Sequence, residues 1–437
     1  MSILITDAKK IENYLAKIDT RLSININEQE AVKEIIDDVR KNKDKAIAKY
    51  TEKFDKIKLS QNNFFINDEE WNNGIKKLDK RTKEIIDKVS DRLFEFYEKT
   101  KYNSFFYYDD YKNFIGTQII PIERVLVYAP GGKAVYPSSV LMGAIPAKVA
   151  GVKEIILTTP DRGEGIKPSI LYSAKKAGVS KICRLGGAQA IAGFAFGTET
   201  LPRVDKIVGP GNIYVALAKK ELFGYVDIDM IAGPSEVLII FDESVNLDYI
   251  AYDMLSQLEH DENAIAIALT VDANLAEKLD KKLEKIAKKS KRWNIIKHSL
   301  NNSAIITLKS LEDCAFIANR IAPEHLELAI SNPHSLLPLI KKAGAVFLGA
   351  NTPEAVGDYI AGPNHILPTG GTARFFSPLG VENFLKRMSI ISFSEEGLNM
   401  LGNYVVDFAK EEGLYAHSES VSVRLRNNKK KKGVKDK

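Results

Sequence analysis

The dipeptide Glu324-His325 follows Pro323 directly, in the stretch NRIAPEHLEL of residues 319–328. An acid beside an imidazole suits general acid–base catalysis, because an imidazole titrates near neutral pH. The same residues are typical of a helix start, since proline suits a first turn and an acid there complements the helix dipole. The dipeptide alone therefore leaves a catalytic and a structural interpretation open.

Histidine is scarce in this sequence, which makes the surroundings of each one informative. The six are His260, His298, His325, His334, His365 and His417. Three segments pair a histidine with an oxygen ligand: Gln257 and His260 in LSQLEHDEN, Asp358 and His365 in EAVGDYIAGPNHILPTGG, and Glu412 and His417 in EEGLYAHSES. Imidazole, carboxylate and amide groups suit zinc or a similar borderline divalent ion. Taken singly, each histidine is more typical of a helix cap or a surface group, and spacing does not show that they meet.

Three glycine-rich segments follow strand-like runs: YAPGGKAVYPSS, LGGAQAIAG and GPGNIY. Glycines let a backbone approach a ligand closely, and helix N-termini offer N–H groups to phosphates. None is a full G-x-G-x-x-G motif, because Tyr214 stands where the third glycine after Gly209 and Gly211 would be. Ordinary strand-to-helix turns explain the same spacing. No Walker lysine motif is present, which argues against a nucleoside triphosphatase.

The composition is that of a folded protein, with 45% hydrophobic and 27% charged residues. Part of the net charge of +5 comes from NNKKKKGVKDK at the C-terminus, a lysine-rich tail that we interpret as solvated. The body is not strongly basic, so no nucleic-acid partner is expected. Two scattered cysteines, Cys183 and Cys314, exclude a disulfide framework or a thiolate metal site. No signal peptide or membrane-spanning run is evident, and the predicted location is cytoplasmic.

The chain divides into two parts that differ in composition and in residue pattern. Residues 1–115 contain one glycine and no proline, and Val32, Ile35, Ile36 and Val39 form an apolar stripe with helical spacing. From about residue 120, strand-like runs alternate with helical patterns: RVLVYAP, EIILTTP, KICRLGG and KIVGPG first, then VLIIFDE, AIAIALTV, SAIITL and AVFLG. Such alternation predicts parallel sheets covered by helices on both faces, with ligands at the carboxyl ends of the strands.

The predicted fold class is therefore α/β: two Rossmann-like parallel-sheet domains with a helical N-terminal region and a small helical C-terminal segment. The predicted divisions are a helical region at 1–118, a first α/β domain at 119–235, a second at 236–375, a C-terminal segment at 376–426 and a disordered lysine-rich tail at 427–437.

A set of long motifs resembles one family along roughly residues 5–426. In order they are YAPGG, GGAQAIAGFAFGTE, DKIVGPGNIYVALAK, IAGPSEVLII, LSQLEHD, IAPEHLEL, GDYIAGPNHILPT and EGLYAH. The sequence closely resembles the histidinol dehydrogenase family. The resemblance implies a four-electron, NAD-dependent oxidation of L-histidinol to L-histidine through an aldehyde, at the end of histidine biosynthesis.

The resemblance also implies roles for individual positions. Those matching the ligands of one zinc ion per subunit are Gln257, His260, Asp358 and His417, with His417 expected from the partner subunit of a homodimer. Those matching substrate contacts are Ser235, His325, His365 and Glu412 together with the zinc ligands. Those matching NAD contacts are Tyr128, Gln189 and Asn212. In this interpretation His325 takes protons from the substrate and Glu324 draws a proton from water.

Three other interpretations stay open from the sequence. A related zinc and NAD dehydrogenase could oxidise another primary alcohol to a carboxylate, although Ser235, His365 and Glu412 favour histidinol. A zinc hydrolase could use Glu324 to activate water, but the resemblance of the NAD segments argues against it. A catalytically silent binding protein would not need both Glu324 and His325. No membrane partner is expected under any of them.

Overall fold

The computed structural model describes residues 3–6, 8–21, 26–131 and 135–435. The chain forms two compact units, one of Met1–Thr100 with Ile122–Phe384 and one of Lys101–Pro121 with Leu385–Lys437. The strands of the described part are β1 (Leu4–Ile5), β2 (Phe105–Tyr108), β3 (Phe114–Pro121), β4 (Arg124–Tyr128), β5 (Glu154–Thr158), β6 (Lys181–Cys183), β7 (Lys206–Val208), β8 (Asp227–Ile228), β9 (Glu236–Phe241), β10 (Ile265–Thr270), β11 (Ala304–Thr307), β12 (His325–Ala329), β13 (Ala345–Leu348) and β14 (Leu385–Ser392).

Helices of different lengths connect and cover these strands. In chain order they are α1 (Ala8–Asp19), α2 (Ile26–Asp55), α3 (Asp68–Lys76), α4 (Lys80–Glu98), α5 (Pro137–Ala150), α6 (Pro168–Lys176), α7 (Gly187–Phe196), α8 (Ile213–Leu222), α9 (Leu247–Leu258), α10 (Ala273–Ala287), α11 (Trp293–Ser299), α12 (Leu311–Ile321), α13 (Pro333–Leu336), α14 (Glu354–Tyr359), α15 (Glu395–Glu411) and α16 (Tyr415–Lys435).

The first parallel sheet has five strands in the order β6-β5-β4-β7-β8. Its central strands are near-continuous runs of valine, isoleucine and leucine, as expected for strands buried on both faces. The apolar stripe predicted from the sequence lies on α2 and is buried in the same core as Leu126 and Ile207. Helix α2 therefore covers this sheet, which explains why it carries one apolar face among many charges.

The second parallel sheet has six strands in the order β1-β11-β10-β9-β12-β13. Alternate residues of β9 enter different cores, because successive side chains of a strand point to opposite faces. Leu238 and Ile240 pack with residues of α1 and α12, whereas Val237 and Ile239 pack with residues of α9 and α10. Helices on both faces confirm the predicted α/β fold class.

The second unit is a three-stranded antiparallel sheet, in the order β14-β3-β2, accompanied by α15 and α16. Strand β3 is its centre, pairing with β14 from Leu385↔Pro121 to Ser392↔Phe114. The two helices confirm the helical character predicted for the C-terminal segment.

The structure adds three details to the sequence interpretation. The region 1–118 is not only helical, because β1, β2 and most of β3 lie in it, and β14 lies in the segment 376–426. These strands depend on partners far away in the chain, such as Ile5 beside Ile306, which local patterns do not reveal. The tail predicted as disordered from residue 427 continues α16 to Lys435, consistent with the helix propensity of lysine. Both parallel sheets lie in one compact unit, so the proposed domain boundaries stay predictions.

Candidate active site

A cavity of about 500 Å³ opens at the carboxyl ends of β4 and β7 in the first sheet. The three residues predicted to bind NAD, Tyr128, Gln189 and Asn212, all line it. Tyr128 is buried at the end of β4, and its hydroxyl accepts a hydrogen bond of 3.3 Å from the N–H of Gly187. The structure thus brings these three residues to one cavity, although the first and the last of them are 84 positions apart in the sequence.

The amino ends of α7 and α8 border the same cavity through Gly187 and Asn212. Asn212 caps α8, since its side-chain oxygen accepts a 3.1 Å hydrogen bond from the N–H of Val215. The buried amide nitrogen of Gln189 has no hydrogen-bond partner among the described residues. Helix amino ends and an unpartnered donor fit the phosphate and hydroxyl oxygens of a dinucleotide. Residues 132–134 of the YAPGGKAVYPSS loop lie outside the described residues.

The dipeptide Glu324-His325 lies at a helix-to-strand turn, and not at a helix start. Helix α12 ends at Ile321, and Ala322 adopts a left-handed conformation with φ 50° and ψ 63°. Pro323 then leads into β12, which begins at His325. The helix-start interpretation is therefore wrong: proline here prevents α12 from continuing and favours an extended chain. Both Glu324 and His325 are buried.

The backbone of Glu236 binds both members of the dipeptide. Its N–H donates to Glu324 Oε2 at 2.9 Å, and His325 Nδ1 lies 3.0 Å from its carbonyl oxygen. Because a carbonyl only accepts hydrogen bonds, Nδ1 carries the proton in the neutral imidazole. The lone pair is then on Nε2, which is buried and has no hydrogen-bond partner among the described residues.

Carboxylates surround the imidazole of His325. Glu324 Oε2 is 3.8 Å and Glu354 Oε1 4.0 Å from Nδ1, and Asp358 Oδ1 is 3.7 Å from Nε2. Burial lowers the pKa of His325, but these charges, led by Glu354, raise it well above its ordinary range. Burial raises the pKa of Glu324 to about 8 and that of Glu354 to about 7. These two carboxyl groups therefore exchange protons near the physiological range, a feature that is common at catalytic sites.

The candidate zinc ligands of the first unit lie on this side of the second sheet. His365 Nδ1 is 2.9 Å from the backbone oxygen of Asp358, which ties the two segments together. Gln257 is buried at the end of α9. When its side-chain amide is oriented with the nitrogen towards Glu354, that nitrogen donates hydrogen bonds to the two carboxylate oxygens at 2.7 and 2.8 Å. The amide oxygen, the atom of this side chain that would bind a metal, is then directed away from Glu354. His260 lies in the turn after α9, with its N–H bonded to the Gln257 carbonyl at 3.2 Å.

The first unit offers one amide oxygen, one imidazole and one carboxylate, which are types of ligand that zinc binds. Among the described residues, the histidine and carboxyl groups whose ligand atoms converge within 4.8 Å are His325, Glu354 and Asp358. The remaining predicted positions, Glu412 and His417, belong to the second unit, at the end of α15 and in α16, and both are exposed.

Three residues of this site were missed from the sequence. Glu236 and Arg21 form a buried ion pair, with Nε 2.6 Å from Oε1, and Glu354 contacts Gln257. A usable signal existed for Glu236, since a carboxylate at the head of the apolar run EVLIIF is out of place unless it is paired. Arg21 and Glu354 carry no comparable signal, because their importance lies in contacts across the fold.

The two sites use opposite ends of their sheets. The cavity lies at the carboxyl ends of the first sheet, as predicted, but Ser235 directly precedes β9 and His325 begins β12, so the acid–base cluster lies at the amino ends of the second. The expectation of carboxyl ends was therefore wrong for the second sheet. A buried cluster of titratable groups and a separate cavity bordered by helix amino ends are features typical of an α/β enzyme.

Comparison with known proteins identifies the family. The histidinol dehydrogenase family profile matches residues 20–425. Histidinol dehydrogenases of Syntrophotalea carbinolica and Bacillus cereus are 49% and 47% identical, over 92% and 96% of this chain and 93% and 99% of theirs. The crystal structure of histidinol dehydrogenase from Elizabethkingia anophelis is 36% identical, with a TM-score of 0.91 over 98% of this chain and 99% of that chain. The chain belongs to the histidinol dehydrogenase family and is an oxidoreductase.

No helix in the described part of the chain is both long and apolar enough to cross a membrane.

Proposed function

We propose that this protein oxidises L-histidinol to L-histidine with NAD, through histidinaldehyde, as the last steps of histidine biosynthesis. The observation that carries the proposal is the buried Glu324-His325 pair, held by the Glu236 backbone in a chain of the histidinol dehydrogenase family. A cytoplasmic location is part of the proposal, since a biosynthetic oxidation needs a supply of dinucleotide.

His325 is the proposed base for the two oxidations. Its Nδ1–H is engaged by the Glu236 carbonyl, so Nε2 is the atom that accepts a proton. That nitrogen is buried without a partner, which leaves it free to bind the substrate hydroxyl. As hydride leaves the alcohol carbon, the hydroxyl proton passes to Nε2, and the nearby carboxylates stabilise the imidazolium that forms.

Glu324 is the proposed base for the water that converts the aldehyde to its hydrate. Its Oε2 is held by the N–H of Glu236, which fixes the carboxyl beside His325. Burial raises its pKa, and a carboxylate of raised pKa is a stronger proton acceptor than an exposed one. Two bases on adjacent residues therefore serve one four-electron oxidation.

NAD is assigned to the cavity lined by Tyr128, Gln189 and Asn212. When bound there, the dinucleotide supplies the hydride acceptor, and the protein supplies binding and orientation. The unpartnered Gln189 amide and the amino ends of α7 and α8 support this assignment.

Zinc is assigned to Gln257, His260 and Asp358, with His417 from the partner subunit, one ion per subunit. When bound, the metal supplies a positive charge that holds the imidazole and amine of histidinol, which fits a templating role. Ser235, His365 and Glu412 are the further proposed substrate contacts. Glu354 fits this assignment, because its bonds to the Gln257 nitrogen direct the amide oxygen away from itself.

A homodimer is part of the proposal and is supported by exposed apolar surface in the second unit. Met400, Tyr404 and Phe408 form an exposed stripe at four-residue spacing on α15. All four residues of the edge strand β2, Phe105–Tyr108, are exposed aromatics. Contiguous apolar surface and an aromatic sheet edge are features that partner subunits cover.

The stoichiometry of the purified enzyme tests the function. We expect two NADH per histidine produced, with no stable aldehyde accumulating, because both bases act in one site. Spectrophotometric NADH and chromatographic histidine measure the ratio. A reproducible ratio of one would rule out the four-electron reaction.

The pH dependence separates the two bases. A carboxyl must be ionised to act as a base, so a pKa raised to about 8 makes the aldehyde step slow in acid and faster as pH rises through 8. In Glu324→Gln we expect a first NADH per site at nearly the wild-type rate and a second that is ~10²–10⁴-fold slower and no longer dependent on a group titrating near 8. Pre-steady-state NADH formation measures both phases.

Glu327→Gln is the matched control for this variant, because Glu327 is also a buried glutamate and lies three residues further along, in β12. Its substitution should leave the ratio of the two phases unchanged. Equal slowing of both phases in Glu324→Gln would mean that Glu324 acts only by orienting His325.

Metal content tests the zinc site. Chelation should abolish activity and zinc should restore it, while His260→Asn should lose bound zinc, as measured by atomic absorption, and keep a native circular dichroism spectrum. His334→Asn replaces an exposed histidine of α13 and should retain the metal. Full activity in metal-free protein, or full zinc content in His260→Asn, would contradict the site.

Subunit mixing tests the shared site. His325→Ala and His417→Ala are each expected to be inactive, because each removes a residue from every site. In a mixed dimer one of the two sites keeps both histidines, so equal random mixing should recover about a quarter of wild-type activity. If mixed dimers form and no activity returns, both histidines serve the same subunit's site.

A further inference from the structure

Lys219 of α8 and Asp229, directly after β8, form an ion pair that is almost completely buried, with side chains 3% and 1% exposed. We call these two residues the loop pair. Removing two charges from water is costly, and the cost is offset only when both groups are fully bonded. The hydrogen bonds that the loop pair makes to other residues therefore indicate its role in the fold.

Both residues of the loop pair bind Gly209. Lys219 Nζ donates to the carbonyl oxygen of Gly209 at 3.0 Å, and the N–H of Gly209 donates to Asp229 Oδ2 at 2.7 Å. Asp229 Oδ1 also accepts from the N–H of Met230 at 2.7 Å. One residue is thus held at both of its backbone polar groups by the two halves of an ion pair.

Gly209 begins the segment that carries a cavity residue. It has a positive φ of 112°, and a Cβ there would lie 2.1 Å from the carbonyl oxygen of Tyr128. Three residues later, Asn212 lines the cavity and caps α8. Gly209 therefore contacts one proposed NAD residue, Tyr128, and leads directly to another.

A second ion pair, between β7 and β8, serves as a comparison. Lys206 begins β7 and is buried, and its Nζ lies 2.6 Å from Oδ2 of the exposed Asp227 in β8. We call these residues the edge pair. The edge pair lies at the amino end of β7, whereas Gly209 follows its carboxyl end. The edge pair thus joins β7 and β8 without contacting Gly209. Pairing of these two strands therefore does not by itself explain why a second ion pair is buried at the carboxyl end of β7.

We propose that the loop pair consists of positioning residues for dinucleotide binding. By holding Gly209 at both its N–H and its carbonyl, Lys219 and Asp229 fix the segment 209–212 beside Tyr128 before the dinucleotide arrives. A segment that is already ordered loses less conformational freedom on binding, so affinity is higher. This inference rests on the proposed NAD site.

Two matched double variants test the proposal in the full-length protein. Lys219→Met/Asp229→Asn removes the charge of both loop-pair residues together, which avoids leaving one buried charge alone. Lys206→Met/Asp227→Asn makes the same changes in the edge pair. Isothermal titration calorimetry measures the Kd for NAD, steady-state kinetics give kcat and the KM for histidinol, and thermal unfolding reports the folded state.

We expect the loop-pair variant to bind NAD about tenfold more weakly, the effect of losing one or two charge-assisted hydrogen bonds that order the segment. Its kcat at saturating NAD and its KM for histidinol should stay within about twofold of wild type. The edge-pair variant should keep the wild-type Kd for NAD. This difference between the two pairs is the outcome that a purely stabilising role would not produce.

Several outcomes would overturn the inference. Wild-type Kd for NAD in the loop-pair variant, or equal weakening in both variants, would assign the loop pair to stability alone. If the loop-pair variant does not fold, Asp229→Asn by itself keeps the side-chain shape, and an unchanged Kd in that variant would also refute the role. A wild-type protein that binds no NAD would instead refute the proposed function, and the inference with it.

Discussion

The geometry of the acid–base pair depends on the peptide groups of one residue, Glu236. Its N–H binds Glu324 and its carbonyl binds His325, so any shift at the start of β9 would move both side chains together. The side chain of Glu236 is itself fixed, by Arg21 and by the N–H of Gly370 at 3.1 Å. Arg21 also donates to the carbonyl of Ile321 at 2.5 Å, at the end of the helix that leads into the pair. Through Arg21, the N-terminal region thus helps to fix the position of the Glu324-His325 pair.

This arrangement places several ionisable groups out of water, which a fold selected only for stability would avoid. Glu324, Glu354 and His325 are all buried, and the pKa values of the two carboxyls are raised because their charged forms lose hydration. When His325 takes up a proton, the imidazolium offsets part of this cost, because the surrounding carboxylates share it as a counterion. A cluster of this kind is expected where proton transfer near neutral pH is the purpose.

The sequence predicted those elements whose residues face only the core. Strands such as β9 and β10 are uninterrupted apolar runs, and all their residues are buried, so composition alone revealed them. Strand β12 was missed because its sequence HLELA carries His325 and Glu327, whose polar side chains are buried among other polar groups. Family motifs located the cavity residues Tyr128, Gln189 and Asn212. They did not reveal the roles of Arg21 or Glu236, because the ion pair of Arg21 and the backbone hydrogen bonds of Glu236 join residues that are far apart in the chain.

The connection between the sheets explains why the second one uses its amino ends. Strand β8 ends the first sheet at Ile228, and β9 begins the second at Glu236, with seven residues, 229–235, between them. A segment of seven residues spans at most about 25 Å even when fully extended. The carboxyl end of β8 must therefore lie near the amino end of β9, and β12 pairs beside β9 with His325 opposite Val237. Under the proposed function, this short connection brings a substrate held at the amino ends of the second sheet towards a dinucleotide held at the first, although parallel sheets usually bind ligands at the other edge.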